Sequence, residues 1–219
     1  MDLNKYQTLV FDCDGVVLDS NKVKTQAFYQ AALPYGEAAA QALVDYHVSH
    51  GGISRYKKFA IFLEKIVPQY APETEGPNLE KLLENYANYV KEGLLNCEVA
   101  EGLEELRKHT KGTKWLIVSG GDQKELREVF AKRGLDKLFN GGIFGSPDTK
   151  GEILAREIAN DNIQAPAFFL GDSVYDHQAA TAQNIDFLFL HSWTEVNDWE
   201  QFIEKNNIKS LDKIKSLLD

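Results

Sequence analysis

The chain has 219 residues, 43% of them hydrophobic, and its 33 acidic against 24 basic side chains give a formal net charge of −9. A chain of that length buries roughly 70% of its unfolded surface without disulfides or a structural metal, as one large domain or a domain with a small insert. The acidic balance excludes a nucleic-acid surface, and no run approaches the ~20 apolar residues of a membrane span.

The first element is a short apolar run over residues 8–11, read as a buried strand that stops at Asp12-Cys13-Asp14-Gly15. Asp12 and Asp14 stand at i and i+2, which puts both carboxylates on one side of the strand end. Packing gives no reason for this, because Asp is depleted in strands and costly to bury unless paired or bound to metal. Gly15 permits a sharp turn. On these residues alone, an Asp-Gly turn whose carboxylates cap backbone amides stays as open as a reactive pair. A calcium loop does not, since Val16 stands where an oxygen ligand is required. The two cysteines, Cys13 and Cys97, have no metal spacing, and a thiol between two functional aspartates suits a reducing cytoplasm. The N-terminus, with Asp2 and no long apolar stretch behind it, lacks the form of a signal peptide.

Residues 20–96 read as helical. A helix over 21–33 stops at Pro34-Tyr35-Gly36, and a second over 37–50 stops at Gly51-Gly52. Ser54 caps a third, with Tyr56, Phe59, Ala60, Leu63 and Val67 on one face, which ends before Pro68. A polar loop over 71–77 leads to a fourth helix with the stripe Leu79, Leu82, Leu83, Tyr86 and Val90. Such aromatic stripes are ordinary helix core.

From Gly102 on, strand and helix alternate. Leu103 and Leu106 face inward from a helix, 114–118 is a strand, and Asp122 with Glu125 forms a capping box for a helix ending at Arg133-Gly134. Ile143-Phe144 is a brief strand, Thr149 with Glu152 caps the next helix, and 167–170 and 187–190 are strands. This alternation predicts an α/β fold: a doubly wound parallel sheet, Rossmann-like, with right-handed crossovers and helices on both faces. Residues 1–19 and 97–219 form its core, and the helical insert of 20–96 forms a cap after the first strand.

Three later segments change the reading of the first. Ser119 ends a strand in Val118-Ser119-Gly120-Gly121, Lys150 opens a helix after Asp148-Thr149, and Asp172 and Asp176 follow a strand in Gly171-Asp172-Ser173-Val174-Tyr175-Asp176. With Asp12-Cys13-Asp14-Gly15, in this order and at strand ends, they resemble the four motifs of the haloacid dehalogenase superfamily over nearly the whole chain. The resemblance implies that Asp12 is a nucleophile that takes a phosphoryl group, and that Asp14 protonates the leaving oxygen and then activates water. It implies that Ser119 and the Gly120 amide bind phosphoryl oxygens and that Lys150 adds its charge at a positive helix end.

A carboxylate and a phosphate ~4 Å apart repel by about 4 kcal/mol per charge pair at an effective dielectric near 20, so the attack needs a cation between them. Asp12 and Asp172, with the Asp14 backbone carbonyl as a third ligand, form a hard oxygen shell that suits magnesium. Asp176 is either an outer-shell ligand or a charge that favours the helix start. The family usually has proline after the motif lysine, where this chain has Gly151. His47, His50, His109, His177 and His191 show no zinc spacing and read as structural or surface residues.

The superfamily contains dehalogenases, phosphatases and sugar-phosphate mutases. An acid at Asp14 speaks against a dehalogenase, because a halide leaves without a proton. The β-phosphoglucomutases carry a histidine twelve residues after the nucleophile, where this chain has Lys24. The expectation is a magnesium-dependent phosphatase for a small phosphorylated metabolite, a sugar or sugar-acid phosphate. A mutase and a non-catalytic binding module that keeps the fold are the alternatives. Phe11-Asp12-Cys13-Asp14-Gly15 and residues 46–56 look similar to small phosphatases of bacterial surface-sugar pathways, with phosphoglycolate as the alternative substrate. Gly52-Ile53-Ser54-Arg55 resembles the loop by which sugar-phosphate enzymes of the family reach their substrate. A cation in a first helical turn is opposed by the dipole, so helix stability does not explain Arg55, which is read either as a grip on a carboxylate or second phosphate or as a solvated surface arginine.

Overall fold

β1 (Thr8–Phe11) is buried at every position, and its side chains alternate between two cores. Leu9 and Phe11 join Trp115, Ile117, Phe168 and Leu170 on one sheet face, while Val10 joins Leu116, Val118 and Phe169 on the other. The structure, a computed structural model, describes residues 2–218. Its sheet continues with β2 (Lys114–Asp122), β3 (Gly142–Ser146), β4 (Ala167–Gly171), β5 (Asp186–Leu190) and β6 (Lys209–Leu211). All pairings are parallel, in the order β3-β2-β1-β4-β5-β6. The chain moves outward from β1 to β3 and then returns to place β4 on the other side of β1. That reversal opens a crevice at the carboxyl ends of β1 and β4, where ligands of such sheets bind.

Residues 21–96 hold α1 (Asn21–Ala32), α2 (Glu37–Ser49), α3 (Arg55–Ile61), α4 (Val67–Tyr70) and α5 (Leu79–Asn96). Phe28, Phe59, Phe62, Tyr86 and Val90 belong to the same apolar cluster as the β1 face of Leu9 and Phe11. Beyond them lie α6 (Leu103–His109), α7 (Gln123–Arg133), α8 (Lys150–Ala159), α9 (Val174–Ala182) and α10 (Trp199–Asn206). Leu103, Leu106, Leu126 and Phe130 cover one face of the sheet, and Ile153, Leu154, Ala179 and Ala180 cover the other.

Four local features depart from the sequence expectations. The third helix does not end before Pro68: a π-helical turn, Phe62–Ile66, joins α3 to α4, and the Val67 N–H donates five residues back to Phe62 O. The widened turn accommodates a proline, which has no N–H to give and whose ring would clash in a regular turn. β2 runs past Ser119 to Asp122, with a register shift between Val118 and Asp122. Asp122 caps α7, but Glu125 does not close the box, because its carboxylate is turned to Arg55. Finally, α10 and β6 extend the fold beyond the expected elements.

Candidate active site

The turn after β1 is tight. Gly15 N–H donates to Leu18 O at 2.9 Å, and Val17 N–H donates to Cys13 O at 3.0 Å. Gly15 has φ +75°, and a Cβ there would stand 2.1 Å from Asp172 Oδ2, so this position needs glycine. The Asp12 N–H still pairs with Leu170 O at 2.9 Å. The sheet itself therefore brings Asp12 at the end of β1 beside Asp172 after β4.

Asp12, Asp172 and Asp176 are all buried and offer carboxylate oxygens within 4.8 Å of one another. Lys150, at the first position of α8 and only 1% exposed, lies 2.8 Å from Asp12 Oδ1 and pairs with Asp176 Oδ1. Thr149 and Glu152 form the expected capping box at that helix start, and a Cβ on Gly151 would meet nothing within 4 Å. Asp176 does two things at once. Its Oδ2 accepts from Ser173 Oγ at 2.6 Å and closes a capping box on α9, while its Oδ1 faces Lys150. Asp172 Oδ2 accepts from Asn21 Nδ2 at 2.8 Å.

Burial, then the neighbouring acids Asp176 and Asp14, push the Asp12 carboxyl up to about 7 against the pull of Lys150. Burial, then Asp12 and Asp176, push Asp172 well above the usual carboxylate range. With all three carboxyls ionised, the one ammonium would leave a charge of −3 + 1 = −2 in a buried site, and the upward shifts of Asp12 and Asp172 answer that burial and excess. Asp12 Oδ1 also lacks a well-directed hydrogen-bond donor. An all-oxygen donor set with this excess charge fits a divalent cation. The side chain of Asp14 is not part of this group.

Asp14 lines the same cavity but stands outside this group, where Lys24 Nζ and Ser20 Oγ both donate to it. Burial raises the Asp14 carboxyl, but the Lys24 ammonium and these hydrogen bonds outweigh it and hold the group below its ordinary range. Ser119 is fully buried in β2 and its Oγ accepts from the Gly121 N–H at 3.0 Å. Gly120 and Gly121 line the cavity above Asp12 and Asp14. A Cβ on Gly120 would stand 2.1 Å from Gly52 O, so the loop before α3 rests on this glycine.

The opposite wall of the cavity comes from the helical segment and from the loop after β5. It includes Phe28, His47, Arg55, Lys58, Tyr86 and Glu195. Arg55 reaches the cavity, but both of its terminal nitrogens face the Glu125 carboxylate, and its guanidinium lies 4.5 Å from the Tyr86 ring centroid. The grip on a substrate group expected of Arg55 is thus occupied by a protein carboxylate. His47, expected to be structural or surface, is a buried member of the cavity wall. Lys24, Lys58, Asn21 and Glu195 also line the cavity and were not singled out for it by the sequence. Only the position of Lys24, twelve residues after Asp12, gave a signal.

Comparison with known proteins decides the family. The sequence model of the haloacid dehalogenase-like hydrolases matches residues 6–184. The chain belongs to that family. A phosphorylated carbohydrates phosphatase of Thermotoga maritima is 25% identical over 208 residues, 90% of each protein. Among solved structures, a predicted phosphoglycolate phosphatase from Haemophilus somnus superposes with a TM-score of 0.76 at 17% identity, covering 99% of this chain and 98% of that one. The β-phosphoglucomutase of Clostridium difficile gives 0.71 at 18% identity, covering 97% and 93%. At such identities the structural likeness is one of fold. This haloacid dehalogenase-like hydrolase therefore has the α/β fold and the hydrolase class its motifs implied.

Proposed function

We propose that the protein is a magnesium-dependent phosphatase that releases phosphate from a small phosphorylated carbohydrate, with residues 20–96 as a cap over a core of 1–19 and 97–219. The observation that carries this reading is Asp12: a buried carboxylate at a strand end, facing Lys150 and two further acids. Asp14 stands two residues away across the same cavity.

In the first step an Asp12 oxygen attacks phosphorus, the bond to the leaving oxygen breaks, and Asp14 protonates that oxygen. In the second, Asp14 takes a proton from water, the water oxygen attacks phosphorus, and the Asp12 carboxylate is restored. As held by Lys24 and Ser20, resting Asp14 is ionised, so for the first step it takes up a proton as the anionic substrate binds. Its ionised form suits the second step, in which the proton drawn from water returns it to the acid form. Lys150 neutralises charge beside Asp12, and the Gly120 and Gly121 backbone lies over the reacting centre. Asp12, Asp172 and the Asp14 carbonyl, with Asp176 as a further acid, would hold a divalent cation, which would supply the charge that lets two anions meet.

Lys24 argues against a mutase, because the position that carries histidine in β-phosphoglucomutases here neutralises Asp14. The relatives named as phosphatases, and free thiols at Cys13 and Cys97, agree with a phosphatase working in a reducing cytoplasm. Hydrolysis of p-nitrophenyl phosphate with magnesium and with a chelator tests the reading. Phosphate release that requires magnesium is expected, and no release under any metal condition would overturn it. Phosphorus NMR on glucose 1-phosphate separates the alternatives, since isomerisation without free phosphate would establish a mutase.

A further inference from the structure

Three buried cations, Lys24, Arg55 and Lys58, line the cavity, which has a volume of about 70 Å³, and a fourth, Lys150, lies beside Asp12. Three of the four have carboxylate partners: Lys24 with Asp14, Arg55 with Glu125, and Lys150 with Asp12 and Asp176. Lys58 has none among the described residues. It is 1% exposed and donates to His47 Nδ1 at 2.6 Å, with His47 O at 3.4 Å and the Phe28 ring centroid at 5.5 Å.

When Lys58 is charged it has only protons to give, so His47 Nδ1 accepts and the ring proton sits on Nε2. That Nε2 is buried and has no hydrogen-bond partner. The nearest acid, Glu195, is 3.9 Å from it and accepts from Thr25 Oγ1 at 2.9 Å. One wall of the cavity therefore presents two donors, the His47 Nε2–H and the remaining proton of Lys58, with no acceptor within hydrogen-bond distance. Both are fixed on helices, His47 in the last turn of α2 and Lys58 in α3. An unmatched buried cation and an unmatched buried donor cost stability, and folding does not explain them.

We propose that Lys58 and His47 hold a carboxylate on the leaving part of the substrate, so that the enzyme selects phosphorylated sugar acids or hydroxy acids over the matching phosphorylated alcohols. The inference rests on the phosphatase reading above. Two donors match the two oxygens of a carboxylate. Burial, together with Lys24, holds the Lys58 ammonium down to about 7, and an anion beside it restores the charge.

The test compares three pairs: phosphoglycolate with ethyl phosphate, 3-phosphoglycerate with glycerol 3-phosphate, and 6-phosphogluconate with sorbitol 6-phosphate. The wild type should favour the acid by at least roughly 10-fold in kcat/KM in one pair, the scale of a charge-assisted hydrogen bond. Lys58→Met and His47→Phe should each lower kcat/KM for that acid by roughly 10- to 100-fold, mostly through KM, and affect its alcohol far less. Binding of the same pairs to Asp12→Asn, read by calorimetry, reports the preference without turnover. A protein that hydrolyses nothing yet binds the acid tighter loses the phosphatase reading and keeps this one. No preference in any pair, or a preference that survives both substitutions, overturns the inference. An equal, Lys58-dependent preference for glucose 1,6-bisphosphate over glucose 6-phosphate overturns the assignment to a carboxylate.

Discussion

Asp12 leaves the sheet beside Asp172, and changing it to Asn keeps its shape while removing the attacking oxygen's charge. Turnover of p-nitrophenyl phosphate should fall by ~10⁴-fold or more with the circular dichroism spectrum unchanged, and a tenth of wild-type rate would refute the nucleophile. Lys58 makes a prediction of the opposite kind. Its folded-state value of about 7 lies below that of an unfolded lysine, so the native state gives up its proton first. Below pH ~7 both states are protonated and the full cost of burying the charge is present; it fades as pH rises toward ~10.4. Lys58→Met should therefore raise the melting temperature at pH 6 by several degrees, and the gain should shrink at pH 9. A lower melting temperature at pH 6 would mean that the His47 contact outweighs the buried charge. These two residues also mark what the sequence discloses. Asp12 announces itself because an aspartate pair at a strand end has no packing role. Lys58 and His47 sit among helical residues whose stripe reads as core, and only the crossing of α2 and α3 over the sheet brings them to one cavity.

Between elements, the Arg55–Glu125 pair ties α3 to the first turn of α7, and so the helical segment to the sheet. Both side chains are mostly buried, with 6% and 15% exposure. Glu125→Ala leaves the guanidinium without its carboxylate, which should cost about 3 kcal/mol in urea denaturation. Adding Arg55→Met should recover part of that loss; strict additivity would show that the pair is not coupled. Sequence could not show this pairing, because Glu125 three residues after Asp122 satisfies a local capping pattern equally well. Elements with a strong local signal were legible: the all-apolar β1 and β4, the Thr149–Glu152 box, and the glycine stop at Gly134. β6 has three residues at the sheet edge, too few for a period to show; α10 does carry a helical spacing in Trp199, Phe202 and Ile203, which the expected elements omit. Pro68 misled for a physical reason: proline ends a regular helix, and the π-helical turn ahead of it is a product of packing.

For the whole molecule, the concentration of negative charge where β1 and β4 meet should make stability depend on a cation. The folded state buries the Asp12, Asp172 and Asp176 carboxyls and gathers them around the single ammonium of Lys150, which pushes Asp12 and Asp172 up, and the unfolded chain disperses them. A ligand that binds only the folded state at a hundred times its dissociation constant adds about 2.7 kcal/mol. At this size that is roughly 5–10 °C in melting temperature. Protein stripped with a chelator should thus melt lower, and millimolar magnesium should restore it. Calcium should restore the melting temperature as well, because it neutralises the same acids. It should not restore turnover, because its longer bonds and larger ligand number would misplace Asp12 relative to phosphorus. Asp172→Asn should abolish the thermal shift with either ion. Full turnover in calcium would remove metal geometry from the mechanism, and a melting temperature indifferent to both ions would remove the metal from the site.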